Sequence, residues 1–203
     1  ITANENIDLN TGGTLSNDGG HIILAGDTGR IRIYGNDSLT IHGGDIKSAG
    51  AIDIDMSGNV VLAAGTSSIY ADKNLNVKGL SLTNNMNLSM NGSINVNASG
   101  DIVNDSGSAI VSNRGTVLTS GGRITNSGVI SGESVNVSAE SLDNNANAEI
   151  TGGSSNSFVS ITGVITNSGR ISGASDISVS ASTITNTDSN SEISSGSKLT
   201  VEA

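Results

Sequence analysis

An all-β, right-handed parallel β-helix of about ten coils, each of roughly 20 residues, is predicted by three features of this chain. An alternating aliphatic pair recurs every 18 to 24 residues, an independent apolar-x-Asn series keeps the same period, and aromatic mass is nearly absent. A single continuous solenoid over residues 1–203, an internal or mature fragment of a larger protein, is the expected organisation.

The pairs begin at Ile7, Ile31, Ile52, Leu75, Ile94, Val117, Val135, Val159, Ile177 and Leu199. Two residues on stands an aliphatic partner (Leu9, Ile33, Ile54, Val77, Val96, Val137, Ile161, Val179, Val201), with Thr119 the exception. Apolar residues two apart mark a strand with one buried face, and helical spacing is sustained nowhere. A repeat this short cannot bury its apolar face alone; stacked on its neighbours, it builds a continuous core.

The second series runs through Leu82-Thr83-Asn84, Ile102-Val103-Asn104, Ile124-Thr125-Asn126, Leu142-Asp143-Asn144, Ile165-Thr166-Asn167 and Ile184-Thr185-Asn186, with Leu15-Ser16-Asn17 an earlier member. Asn recurring at one corner predicts a ladder of stacked amides, each satisfying the one above and below. Gly-Gly pairs beginning at Gly12, Gly19, Gly43, Gly121 and Gly152, with Asn or Ser beside Gly elsewhere, are expected to supply positive φ at the corners.

Composition accounts for the narrow core. The chain has no Pro, Cys or Trp, one Phe, two Tyr and 27 Gly, so Ile, Val, Leu and Ala must fill an interior that repeats along a line. Disorder is disfavoured by the regular aliphatic placement and a mean hydropathy near zero. A net charge of −10 with nine basic residues argues against a nucleic-acid partner, which needs clustered Lys and Arg. Neither an 18-residue apolar run nor a basic-then-apolar leader is read from the sequence.

Several motifs carry possible chemistry. Asp53-Ile54-Asp55-Met56-Ser57-Gly58 begins like a calcium loop, but Ala64 stands where a bidentate Glu belongs, and Ile52 and Ile54 make the segment a strand. Asp8, Arg32 and Asp53 fall one coil apart on the outward face, and Asp55 should meet Lys78. His21 and His42 differ in phase and lack a third ligand of fixed spacing, so no metal site is expected. The cluster of Asp8, Arg32, Asp53 and Asp55 is the place to look for a polysaccharide-processing enzyme, yet no long loops flank it to form a cleft. Tyr34 is read as outward and, alone, as no platform for glycans. Six Asn-x-Ser sequons (Asn36, Asn87, Asn91, Asn97, Asn104, Asn136) match chance in so Asn- and Ser-rich a chain. No catalytic, cofactor or metal residue is assigned, and the coil lengths are too irregular for an ice-binding array.

The units Ile124–Gly132 and Ile165–Gly173, Leu142-Asp143-Asn144-Asn145 and Ser134–Ala139 resemble the haemagglutinin repeats of filamentous haemagglutinin and related two-partner secretion exoproteins. The likeness is clearest over residues 82–203. What the resemblance implies is a β-helical shaft exported through an outer-membrane transporter partner and displayed at the bacterial surface or secreted. The family includes adhesins and the sticks of contact-dependent growth inhibition toxins. On this reading the chain is a non-enzymatic, monomeric rod that contacts a host-cell or bacterial receptor or glycan. A polysaccharide-processing β-helix enzyme and a phage tail-spike segment are the alternatives.

Overall fold

The computed structural model describes residues 1–64 and 68–203, and there it contains twenty-nine strands and no helix. The strands form three parallel sheets in which each strand pairs with the third one after it in sequence. The first sheet has ten strands, from Thr2–Ala3 to Glu192–Ser195, and the second has ten, from Asn6–Thr11 to Leu199–Glu202. The third has nine, from Leu15–Asp18 to Thr183–Asn186. Three sheets of this kind are the walls of a parallel β-helix, with about nine complete turns stacked at roughly 4.8 Å. Connections between strands are one to five residues long.

Strand alternation points one row of each wall inward. In the first sheet, Ile22, Ile46, Ile69, Leu88, Ile110, Ile130, Ile150, Ile171 and Ile193 occupy a single register position, and all but Ile193 are buried. The third sheet adds a column from Leu39 to Ile165, and the second adds two columns per strand. Each buried aliphatic side chain contributes about 1.5–3 kcal/mol, so the interior is the main source of stability. Every core residue has its counterpart in the coil above, and the core therefore never widens into a globule.

The register departs from the sequence expectation in two coils. Alternation places Val117 inward, but Ile94 aligns with Thr116 and Val96 with Leu118, which puts Val117 on the outer face between Asn95 and Asn136. Thr116 can be fully buried because its hydroxyl donates to the Ser131 carbonyl at 2.7 Å. Thr119, paired with Asn97 and Ser138, is likewise outward. In the next coil but one, Val159 is the second inward residue and not the first. Ser157 holds the first position, aligned with Ile177, and its Oγ accepts from the Val135 amide at 3.0 Å.

Corner glycines are also present for a different reason than expected. Of the five Gly-Gly pairs, only those at Gly19 (φ 72°) and at Gly43-Gly44 (φ 70° and 88°) have positive φ. At Gly121 the constraint is space: an added Cβ would collide with the Ser99 carbonyl of the coil below. At Gly152 it would collide with the buried Ser157 side chain. Where packing is this close a corner has no room for a side chain, whatever the φ, whereas at Gly12 an added Cβ would meet nothing.

The Asn ladder forms as expected and lies inside the wall. Asn84, Asn104, Asn126, Asn144, Asn167 and Asn186 share one register position at the end of the third-sheet strands. Each Nδ2 donates to the Oδ1 of the next Asn, the five bonds being 2.7–2.8 Å long. The same Nδ2 atoms of Asn104, Asn126, Asn144 and Asn167 reach the carbonyls of Val129, Glu149, Arg170 and Glu192, tying down the corner of the coil above. Asn17 holds the same position, but Ile41 and Leu62 intervene before Asn84.

Candidate contact face

Outward rows of the second sheet bring charged and aromatic side chains together on a flat wall of strands. On Arg30–Gly35, Ile31 and Ile33 turn inward and are fully buried, so Arg30, Arg32 and Tyr34 must point out. On Ala51–Met56 the same alternation buries Ile52 and Ile54 and sends Asp53 and Asp55 outward. The register then sets Arg32 between Asp8 and Asp53, and Tyr34 between Asn10 and Asp55. Asp53 and Asp55 thus lie side by side along an extended strand and do not wrap an ion.

The ion pairs refine the expected charge alternation. Lys78 Nζ approaches Asp55 at 3.3 Å, and Arg32 Nη1 lies 4.0 Å from Asp8. Asp53, however, takes Arg30 at 3.3 Å and accepts from Asn76 at 2.7 Å, although Arg32 is its direct neighbour in the ladder. Asn95 in turn donates to Asn76 at 2.9 Å, extending the outward chain by another coil. These pairs are solvent-exposed, and each contributes about 0–1 kcal/mol. Arg32, Ile33, Tyr34, Asp53 and Asp55 line an open depression of about 330 Å³.

His21 and His42 do not stack. His21 lies on the first sheet, with Nδ1 3.3 Å from Asp45, whereas His42 lies on the third, 3.1 Å from Asp18. Of the sequons, Asn104 is fully buried in the ladder and closed to modification.

Sequence reading missed the group around Asp45. Its carboxylate accepts from Ser68 Oγ at 2.7 Å and from Lys47 Nζ at 3.0 Å, with His21 alongside. Hydrogen bonds from Ser68 and Lys47 hold the carboxyl down at about 2. The available signal was register: His21, Asp45 and Ser68 begin three successive strands of one wall. A carboxyl whose folded value is depressed stabilises the fold above the unfolded value, 3.8, and loses that contribution as the pH falls through about 2. The stability difference between wild type and Asp45→Asn, about 1 kcal/mol at neutral pH after solvent screening, is therefore expected to vanish on acidification. Urea titrations at a series of pH values measure it, and a pH-independent difference would exclude the mechanism.

The three aromatic side chains differ in freedom. Tyr70 donates to Asp72 at 2.5 Å and receives Asn91 at 2.7 Å, and the hydrogen bond to Asp72 raises its pKa. Phe158 points outward between Asn136 and Ser178 and is 52% exposed. Tyr34 is 39% exposed and, among the described residues, its hydroxyl has no hydrogen-bond partner in the protein. Compared with family models, with curated proteins and with solved structures, the chain matches none.

Proposed function

We propose that this chain is a segment of the rigid shaft of a secreted or surface-displayed bacterial exoprotein, which holds a contact surface away from the cell and does no chemistry of its own. The observation that carries the shaft reading is the continuity of the axial columns: aliphatic rows and the buried Asn chain run from coil to coil. A solenoid in which each coil touches only its neighbours gains length without gaining a cleft, which is what a spacer requires. Short connections of one to five residues favour the same reading, because catalytic sites on such scaffolds are usually built by longer loops.

The bacterial and export part of the proposal rests on the haemagglutinin-repeat resemblance of residues 82–203. Under it, an outer-membrane transporter is the partner during secretion, and a cell-surface receptor or glycan is the partner afterwards. The deciding measurement is binding of the purified chain to intact bacterial and animal cells, beside an assay for cleavage of acidic polysaccharides. Saturable cell binding without product release is expected. Release of product from any glycan would replace the shaft reading with the enzymatic one.

A further inference from the structure

We propose that the depression beside Tyr34 is a binding subsite for a neutral hexose unit of a glycan. This deepens the surface-contact reading above and rests on it. Sequence alone offered an isolated outward tyrosine; the fold surrounds it with Arg32, Asp53 and Asp55 in one depression of about 330 Å³.

Three observations converge on the ligand class. First, the two tyrosines of the chain contrast: Tyr70 is tied to Asp72 and Asn91, whereas the Tyr34 ring is open to solvent and its hydroxyl is unpartnered among the described residues. Second, Arg30 takes the Asp53 carboxylate at 3.3 Å, which leaves Arg32 only a 4.0 Å approach to Asp8 and its guanidinium donors without a protein acceptor among the described residues. Third, Asp55 keeps acceptor capacity beyond its single Lys78 partner, since a carboxylate has about four lone-pair sites. A flat apolar face bordered by an unpaired guanidinium and a carboxylate matches a pyranose ring. The C–H face of the sugar packs on the aromatic ring, and its hydroxyls both donate to Asp55 and accept from Arg32.

Charge selects among sugars. Around the depression Arg30, Arg32 and Lys78 balance Asp53, Asp55 and Asp8, so it has no net positive charge, and the chain as a whole carries −10. A uronic or sialic acid gains no net attraction from that balance and meets the overall negative charge of the chain, whereas a neutral hexose needs no counter-charge. All of these side chains sit on hydrogen-bonded strands whose inward neighbours are buried, so the backbone that carries them needs little ordering on binding.

The test is calorimetric titration of the chain with soluble cello-, manno-, malto- and chito-oligosaccharides, with oligogalacturonate as the acidic counterpart. At least one neutral series should bind. Loss of the ring in Tyr34→Ala should weaken it about tenfold, while Tyr34→Phe should retain it. Because the chain has no Trp and two Tyr, tyrosine emission in a Tyr70→Phe background reports on Tyr34 alone, and the bound sugar should change it. Failure of every neutral series to bind, preference for oligogalacturonate, or undiminished affinity in Tyr34→Ala would each overturn the subsite. Cell binding separates this inference from its premise. Equal binding of wild type and Tyr34→Ala to cells defeats the subsite and leaves the contact reading standing, whereas no cell binding by wild type defeats the contact reading itself.

Discussion

Ile130→Asp is expected to destabilise the solenoid by more than about 4 kcal/mol, enough to unfold its central coils at room temperature. Ile130 is fully buried between Ile110 and Ile150, and no cation faces it from either neighbouring coil at that position. An ionised carboxylate there would lie unpaired in the aliphatic column. Because each coil is stabilised by the two interfaces it makes, loss at the centre removes support from both sides. Ile177→Asp, by contrast, lies one strand from the last strand of the second sheet and should fray mainly the coils beyond it. Ser178→Asp, the outward neighbour between Phe158 and Thr200, should stay within about 0.5 kcal/mol of wild type. Urea unfolding followed by far-ultraviolet circular dichroism distinguishes the three. Equal loss for Ile177→Asp and Ser178→Asp would mean that the register of this wall is wrong.

Interrupting the Asn ladder should be the next most damaging change. Asn126 donates to Asn144 Oδ1 and to the Glu149 carbonyl, and accepts from Asn104. Asn126→Leu fits the position in shape, since Leu62 occupies the equivalent place two rungs before Asn104. It nevertheless strips partners from buried polar atoms above and below, at a cost of about 2–4 kcal/mol. Asn126→Asp should cost more at neutral pH, because burial raises the carboxyl's folded pKa and disfavours the charged form. A raised folded value means that the deficit is smallest below the unfolded pKa, about 3.9, and grows as the pH rises. Thermal unfolding across that range should therefore show Asn126→Asp gaining on Asn126→Leu in acid. If Asn126→Leu proved neutral, the ladder would be an ornament of the fold and not a support.

The repeat was legible because burial and period coincide. Ile7, Ile31, Ile52, Leu75, Ile94 and Val135 are inward as their alternation predicted, and the Asn series marks the end of each third-sheet strand from Leu82–Asn84 onward. Register failed at Val117 and Val159 because the rule that reads inward as apolar fails there. In Gly115–Ser120 the apolar residues Val117 and Leu118 are adjacent, so alternation alone offers two phases, and the correct one buries a threonine. That burial is satisfied by the Ser131 carbonyl of the following coil at 2.7 Å and by Ser112 Oγ at 3.1 Å, and the shorter of the two bonds depends on how the coils stack. The wall around Asp45 was invisible for the same reason: Lys47 is on its own strand, but His21 and Ser68 meet it through stacking, across about one period of chain. Tyr34 was correctly placed outward, but its neighbours depend on which of Arg30 and Arg32 claims Asp53, a choice set by side-chain geometry.

The direction of the ladder bonds has a further consequence. In every rung the amide nitrogen points toward the C-terminal coil and the oxygen toward the N-terminal one. The side-chain dipoles therefore add along the axis, and the two ends of the rod are chemically unlike. A growing stack presents a free N–H donor at its leading edge, which the next Asn oxygen completes as it arrives. Each finished coil is thus a template for the following one, with contacts closed over only about 20 residues of chain, a short loop by the measure that governs folding speed. A chain emerging N-terminus first would meet that edge in the order in which it is built, and assembly would advance as a ratchet.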